Sequence, residues 1–221
     1  MKVSKAQNLN YIIEPGSHSS TRYRQSRRGK WKKSLFSWLP FKLIRGQFVK
    51  LQATILFQTD NWHPLPDSEN KDWFDINKLI GINFGLSSPH KNSFRIGYIH
   101  DYQNPNEVKL YLYYYEDGVR YMPPIKEPIA IAQMGVPLEL TIMKVGYENR
   151  FYVHIWQDKE EILSGDYKGI PVTGDLYEDD DILLYPGKYH WFSVLEPYHG
   201  GNLASPNKQS FHIDDLIITY Q

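Results

Sequence analysis

Apolar and polar residues alternate with a period of two along several segments of the chain, whereas a helical period of 3.6 residues does not recur convincingly. In FVKLQATILF (48–57), five apolar residues from Val49 to Phe57 share one face, and Lys50, Gln52 and Thr54 share the other. This pattern predicts a β-strand with one buried face.

Two pairs of such segments are separated by turn residues, which predicts hairpins. FRIGYIHDY (94–102) and VKLYLYYYE (108–116) are joined through Asn and Pro. LELTIMKV (138–145) and RFYVHIW (150–156) flank GYEN, whose Gly and Asn can adopt the left-handed backbone conformation of a tight turn.

Two more strands, YHWFSVLE (189–196) and SFHIDDLIITY (210–220), close the chain. In the last strand, Asp214 and Asp215 interrupt the alternation, so we expect a β-bulge there. WFDINKLIG (73–81) predicts a short helix, because an Asp stands at a potential N-cap and a Gly at the end.

Seven or eight strands with turn residues between them predict one all-β domain over residues 1–221, an antiparallel β-sandwich with few short helices. Residues 157–188 are rich in Gly, Pro and acids, and we expect a long excursion containing one short strand.

Overall charge gives the chain no attraction to nucleic acid or to an anionic membrane, because 25 basic residues balance 25 acidic ones. Locally, residues 22–33 carry seven positive charges, and residues 175–183 carry five acids, four of them in the run 178–181. Both segments are typical of solvated surface, although the first could bind a polyanion and the second a cation.

The chain has no cysteine, which excludes disulfides and thiolate chemistry. Its first twenty residues have no apolar signal-peptide core, and no run of about eighteen apolar residues occurs. We therefore expect a soluble protein, either cytoplasmic or supplied without its export signal.

Several ordered segments resemble a group of uncharacterised bacterial proteins with the concanavalin A-like lectin/glucanase sandwich. The segments are GSHSS (16–20), FDINKLIGINFG (74–85), NSFRIGY (92–98), VKLYLYYYEDGVR (108–120), EPYHGGNLASP (196–206) and FHIDDLI (211–217). The resemblance implies a jelly-roll sandwich and a link to carbohydrate, although the fold alone does not determine function.

Motifs of catalysis and metal binding are not found. A glycosidase needs two carboxylates across the scissile bond, but Glu178 with Asp180 and Asp214 with Asp215 are better explained as solvated or structural pairs. The eight histidines show no metal-ligand spacing, and there is no nucleophile elbow or phosphate-binding glycine loop. Gly200 and Gly201 in PYHGG are better explained by a turn that needs positive φ, or by close approach of the backbone to a ligand. We predict neither a metal nor a cofactor.

Aromatic side chains are the remaining candidate for a binding site. If Val108, Leu110, Leu112 and Tyr114 point into the core, the odd-numbered tyrosines of the same strand share the opposite face. Two other segments offer aromatic residues for such a face. The predicted ligand-binding residues are Tyr98, His100, Tyr111, Tyr113, Tyr115, Tyr152, His154 and Trp156.

Two explanations of this aromatic surface remain open. In one, residues 157–188 or an N-terminal segment containing Trp31, Phe36 and Trp38 cover it as a second small core. In the other, it forms a groove whose rings stack on sugar residues. The main functional prediction is non-catalytic recognition of a carbohydrate. The alternatives are a glycoside hydrolase or lyase with carboxylates from separate strands, and a structural or interaction protein; the sequence does not indicate the oligomeric state.

Overall fold

The computed structural model describes thirteen ranges of the chain. They are residues 1–25, 30–33, 42–46, 49–58, 75–84, 88–101, 103–122, 127–145, 150–168, 170–172, 190–201, 204–205 and 208–220. Regular secondary structure in these ranges is β-strand, arranged as two sheets of antiparallel strands.

The larger sheet contains nine of the described strands. From edge to edge they are β14 (Ile170–Val172), β13 (Glu160–Lys168), β12 (Arg150–Gln157), β11 (Leu138–Val145), β5 (Val49–Phe57), β16 (Gln209–Tyr220), β1 (Lys2–Ile13), β2 (Thr21–Gln25) and β3 (Trp31–Lys33). The first and last described strands of the chain, β1 and β16, therefore pair with each other in the interior of this sheet.

The smaller sheet contains seven described strands. Six of them run from edge to edge as β10 (Ala130–Gln133), β8 (Glu107–Glu116), β7 (Ser93–His100), β6 (Asn77–Phe84), β15 (His190–Leu195) and β4 (Lys42–Gly46). The seventh, β9 (Val119–Tyr121), pairs with the last residues of β8 through a turn at Asp117 and Gly118, both of which have positive φ.

The hydrophobic core lies between the two sheets. On β5, Leu51, Ala53 and Ile55 are buried. Gln52 and Thr54, which alternate with them, are half-buried, as a strand with one core-facing side requires. Val153 of the larger sheet and Leu110 of the smaller sheet belong to the same core cluster. Burial of each such side chain contributes about 1.5–3 kcal/mol of stabilisation.

Both predicted hairpins are confirmed, since β7 pairs with β8 and β11 pairs with β12. The predicted bulge is also present, because the pairing of β16 with β5 shifts register between Ile213 and Asp215. The antiparallel β-sandwich that we predicted is confirmed by these two sheets.

The helix predicted over 73–81 is wrong where the structure describes it, because Asn77–Phe84 forms β6. Six of its eight residues are buried, so the strand is covered on both faces. A strand buried on both faces has a nearly continuous apolar sequence and lacks the alternation that marks a half-buried strand.

The predicted excursion at 157–188 also differs in part, because its first half continues the larger sheet as β13 and β14. The acidic run 178–181 lies outside the described residues. The basic segment 22–33 contributes most of β2 and the whole of β3, with residues 26–29 outside the described ranges. A twelve-residue strand at the N-terminus, Lys2–Ile13, had no counterpart in the prediction. No helix in the described part of the chain is long and apolar enough to cross a membrane.

Candidate functional site

The tyrosines of β8 separate onto two faces, as the alternation predicts. Tyr114 belongs to the core between the sheets, whereas Tyr111 and Tyr113 belong to a separate small cluster on the outer face of the smaller sheet. Tyr111 and Tyr113 are 0% and 5% exposed, and Tyr115 is half-buried beside them. The outer face of this sheet is therefore covered over Tyr111 and opens toward Tyr115.

Ile76 and Ile99 provide the cover over Tyr111. Ile76 lies directly over Gly97, since a Cβ atom at Gly97 would stand 2.2 Å from Ile76 Cγ2. The described strands of 157–188 lie instead at the edge of the larger sheet. Phe36 and Trp38 lie outside the described residues, as does the side chain of Trp31.

Two cations lie among the outer tyrosines. Lys78 of β6 places Nζ 4.5 Å from the centre of the Tyr113 ring, a cation–π contact, and 6.0 Å from that of Tyr198. Arg95 of β7 is paired with Tyr113 of β8, and on its other side it lies across Gly81. A Cβ atom at Gly81 would stand 2.8 Å from Arg95 Cγ, so the glycine leaves room for this side chain.

Burial disfavours the charged form of both cations. Desolvation lowers the pKa of Lys78 to about 8, assisted by the charges of Arg95 and Arg120 and opposed by the charge of Asp75. Desolvation likewise lowers the pKa of Arg95 to about 10, although the neighbouring tyrosines oppose it.

Neither cation has a carboxylate within ion-pair distance among the described residues, and this includes Asp75. By contrast, Lys109 on the same sheet forms a 2.9 Å ion pair with Asp101. Both cations are half-buried, and removing a charge from water is unfavourable unless the charge is paired. We call the surface formed by Lys78, Arg95, Tyr113, Tyr115 and Tyr198 the tyrosine face.

The segment 198–200 forms one wall of the tyrosine face. Its backbone pairs with β6 through two hydrogen bonds, one donated by Lys78 N–H to the Tyr198 carbonyl and one donated in return, 2.9 and 2.8 Å long. Gly200 packs against the Ile76 carbonyl, where a Cβ would stand 2.6 Å from the oxygen, and its N–H donates to the Asn77 side chain. Gly201 has φ of 83°, which confirms the predicted turn with positive φ. The close approach of Gly200 is to the backbone of Ile76.

A second segment, 16–20, packs beside this wall and brings two histidines together. His18 stacks on the Tyr198 ring at 5.6 Å, and its Nδ1 donates to the His199 carbonyl over 3.1 Å. That bond leaves Nε2 of neutral His18 as an acceptor. The GSHSS and EPYHGG segments, distant in the sequence, thus adjoin the same face.

His199 is held neutral beneath the wall. Gln209 donates to His199 Nδ1 over 2.9 Å and accepts a 2.6 Å bond from the hydroxyl of Tyr98. Desolvation, together with the charges of His18 and Lys78, lowers the pKa of His199 to about 4. This buried network fixes the position of the wall from the core side.

The predicted single aromatic face is wrong in two respects. First, Tyr98 and His100 point into the core, where both lie edge-on to Phe57. Tyr98 pairs with Leu110, and cross-strand partners point to the same side of a sheet. They therefore lie on the side of the sheet opposite Tyr113.

Second, Tyr152, His154 and Trp156 belong to the larger sheet, on its own outer face. His154 lies 5.2 Å from the Trp156 ring, and its Nδ1 is 3.4 Å from the Tyr152 hydroxyl. These three residues are together, but the two sheets and the core separate them from Tyr113.

The sequence reasoning missed Lys78, Arg95, His18, Tyr198 and His199. The sequence could have placed Arg95 on the outer face, since it alternates with the core residues Phe94 and Ile96. The histidines stood within two segments that carried the family resemblance. In the described residues, no group of three His, Asp or Glu side chains is placed to hold a metal ion.

No protein-family model matches the chain, and no curated protein matches it. Solved structures do match. The alginate lyase from Klebsiella pneumoniae has a TM-score of 0.51 at 11% identity, covering 97% of this chain and 95% of that one. Alginate lyase vAL-1 from Chlorella virus has a TM-score of 0.46 at 8% identity, covering 100% and 91%. The legume lectin-like domain from Entamoeba histolytica has a TM-score of 0.40 at 12% identity, covering 99% and 90%. The first of these likenesses shows a shared sandwich fold and nothing more.

Proposed function

We propose that the tyrosine face binds an acidic carbohydrate chain. The observation that carries the proposal is the pair of cations, Lys78 and Arg95, half-buried among tyrosines with no carboxylate partner in the described residues. Perturbed ionisable groups of this kind concentrate at functional sites. An anionic ligand would supply the missing counter-charge.

The surrounding groups suit a sugar with carboxylate or sulfate substituents. Lys78 and Arg95 would pair with the anionic groups, and Arg can do so through two parallel hydrogen bonds. The exposed part of the Tyr198 ring offers an apolar surface for the C–H face of a sugar, and the hydroxyls of Tyr113 and Tyr115, 3.3 Å apart, offer polar contacts. The shared sandwich fold supports this class of ligand, since the Klebsiella enzyme is named for its action on alginate.

The charge distribution of the chain favours a small cationic site over an extended basic surface. The chain as a whole has zero formal charge, so it has no extended field for a polyanion such as nucleic acid. Arg120, on β9 beside Tyr113, adds a third cation to this face.

The test compares binding of an acidic polysaccharide, polyuronate, with a neutral polysaccharide of similar length, by isothermal titration calorimetry. We expect binding to the polyuronate, and Arg95→Met should weaken it about ten- to a hundredfold, because a hydrogen-bonded charge contact is worth about 1.5–3 kcal/mol. The matched control is Lys2→Met, which removes an exposed cation from the larger sheet. Equal affinity for the acidic and the neutral polymer would refute the proposal. An equal loss of polyuronate affinity in Arg95→Met and Lys2→Met would also refute it.

A second candidate function is cleavage of the same carbohydrate, and His18 is the observation that favours it. Its Nδ1 donates to a backbone carbonyl, which orients the ring and leaves Nε2 as a potential proton acceptor beside Tyr198. No pair of carboxylates adjoins these residues on the described part of the face, so elimination suits the groups better than two-carboxylate hydrolysis. Incubation with polyuronate should then release unsaturated chain ends, and His18→Ala should abolish release while binding persists. If the wild type releases no new chain ends, the function is binding alone.

A further inference from the structure

A groove on the outer face of the larger sheet contains Trp156, far from the tyrosine face. It has a volume of about 320 Å³, which falls in the range of small-ligand sites. We call it the tryptophan groove. Its lining residues are Gln52, Ala53, Thr54, Glu139, Leu140, Thr141, His154, Trp156, Asp215 and Ile217.

Register places eight of the ten lining residues in two parallel rows that cross the strands, and the other two, Ala53 and Leu140, belong to the core. One row runs from Trp156 through Glu139 and Thr54 to Asp215. The adjacent row runs from His154 through Thr141 and Gln52 to Ile217. Each row crosses four strands at about 4.8 Å per strand, so an extended ligand could lie across the sheet along them.

We propose that the tryptophan groove is a second carbohydrate site and that it takes a neutral saccharide. Trp156 provides a half-buried ring at one end, and the floor presents the amide of Gln52 and the hydroxyls of Thr54 and Thr141. One aromatic platform beside small polar groups suits the apolar face and the hydroxyls of a sugar.

The charges of the groove exclude an acidic ligand. Glu139 and Asp215 line it, and Glu161 lies at its edge with a carboxylate oxygen 3.1 Å from His154 Nε2. Lys5 is the cation nearest Asp215, and it is already paired with it at 3.0 Å. An anionic polymer would therefore meet carboxylates here, whereas the tyrosine face offers it cations.

The two lining carboxylates lie on strands separated by β5, so the backbones of Glu139 and Asp215 are about 9.6 Å apart. Asp215 is already engaged within the protein, because it accepts bonds from Gln7 and Lys5 that lower its pKa. We assign the groove to recognition of the saccharide.

The test is calorimetric titration of the whole chain with neutral oligosaccharides: cello-, xylo-, manno- and malto-oligosaccharides. We expect at least one of them to bind, and Trp156→Ala to weaken that binding about tenfold. Gln52→Ala, which removes a floor amide without removing a ring, should weaken it by a smaller factor. Trp191→Ala is the matched control, because Trp191 is 38% exposed and belongs to the smaller sheet.

The proposal fails if none of these saccharides binds with a Kd below about 1 mM. It also fails if Trp156→Ala and Trp191→Ala have equal effects, or if the variant at Trp156 loses polyuronate binding. The two sites are tested independently, since Arg95→Met should weaken polyuronate binding and leave the affinity for the neutral saccharide unchanged.

Discussion

The two outer faces of the sandwich differ in whether their charged side chains are paired. On the tyrosine face, Lys78 and Arg95 are half-buried without carboxylate partners among the described residues, and desolvation lowers the pKa of both. On the larger sheet, Lys5 lies in an exposed ion pair with Asp215, with side chains 45% and 39% exposed. A paired surface charge needs no further explanation, whereas an unpaired charge that is partly removed from water reduces stability, which suggests that it is retained for another reason. This difference is why we assign the acidic ligand to one face and the neutral ligand to the other.

The faces also differ in whether glycines within the strands leave room for neighbouring side chains. The smaller sheet has glycines within its strands, Gly81 and Gly97, over which Arg95 and Ile76 lie. The row across the groove of the larger sheet has ordinary side chains such as Thr141 at each strand. A glycine within a strand weakens it, so its presence indicates a close approach by another group.

The largest effect should follow Gly81→Ala. Its Cβ would stand 2.1 Å from the Phe94 carbonyl oxygen and 2.7 Å from Arg95 Cα, so the backbone of β7 would have to move. We expect the free energy of unfolding to fall by about 3 kcal/mol, as for severe overpacking. Urea denaturation measures this. Thr141→Ala on the other sheet is the control and should cost less than about 1 kcal/mol. A loss at Gly81 no larger than that at Thr141 would contradict the close approach.

Lys78→Met should have the next largest effect, and it should raise the free energy of unfolding. Lys78→Met keeps an aliphatic chain of similar length and removes a charge that burial disfavours, so stability at pH 7 should rise by about 1 kcal/mol. Lys5→Met should lower stability by about 0–1 kcal/mol, because it breaks an exposed ion pair. Thermal unfolding of the two variants distinguishes these signs. A clear loss at Lys78 would mean that its contacts with Tyr113 outweigh its desolvation.

Alternation in the sequence was enough to predict the strands that contribute the core. The five alternate apolar residues of β5 are buried, and Tyr111 and Tyr114 lie on opposite sides of β8 as expected. These assignments succeed because successive side chains of a strand point to opposite faces, and burial of one face selects the register.

Alternation could not show which strands share a sheet or how a hairpin is registered. Tyr113 and Trp156 were placed on one surface, although β8 and β12 belong to different sheets. Tyr98 was placed outside, although it alternates with the core residues Phe94 and Ile96 of its own strand and pairs with the core residue Leu110. Lys78 and His18 are brought to the site by chain segments far apart in sequence, which local patterns do not specify.

Binding at the tyrosine face should depend on pH, and binding at the tryptophan groove should not do so between pH 7 and 9. Lys78 has a pKa of about 8, so it is charged below that pH and loses its charge as the pH rises through it. Polyuronate affinity should therefore fall by about fivefold between pH 7 and 9, the equivalent of about 1 kcal/mol. Arg95, with a pKa of about 10, remains charged over this range. Calorimetry at three pH values measures the change, and Lys78→Met should remove it. An unchanged pH profile in that variant would assign the titration to another group.

The smallest effect concerns Asp215 and acid. The hydrogen bonds from Gln7 and Lys5 lower its pKa, so the carboxylate is favoured in the folded protein. A lowered carboxyl pKa contributes stability that is present above the unfolded pKa, about 3.9, and is lost as the pH falls through the folded value. The wild-type protein should therefore have a higher midpoint of unfolding at pH 6 than at pH 3. Asp215→Asn should make this difference between the two midpoints smaller, by a small amount because the group is at the surface. Asp158→Asn, in the exposed turn between β12 and β13, is the control. If both variants narrow the difference equally, the bonds to Gln7 and Lys5 do not persist in solution, and Lys5 would then be free to attract an anion to the tryptophan groove.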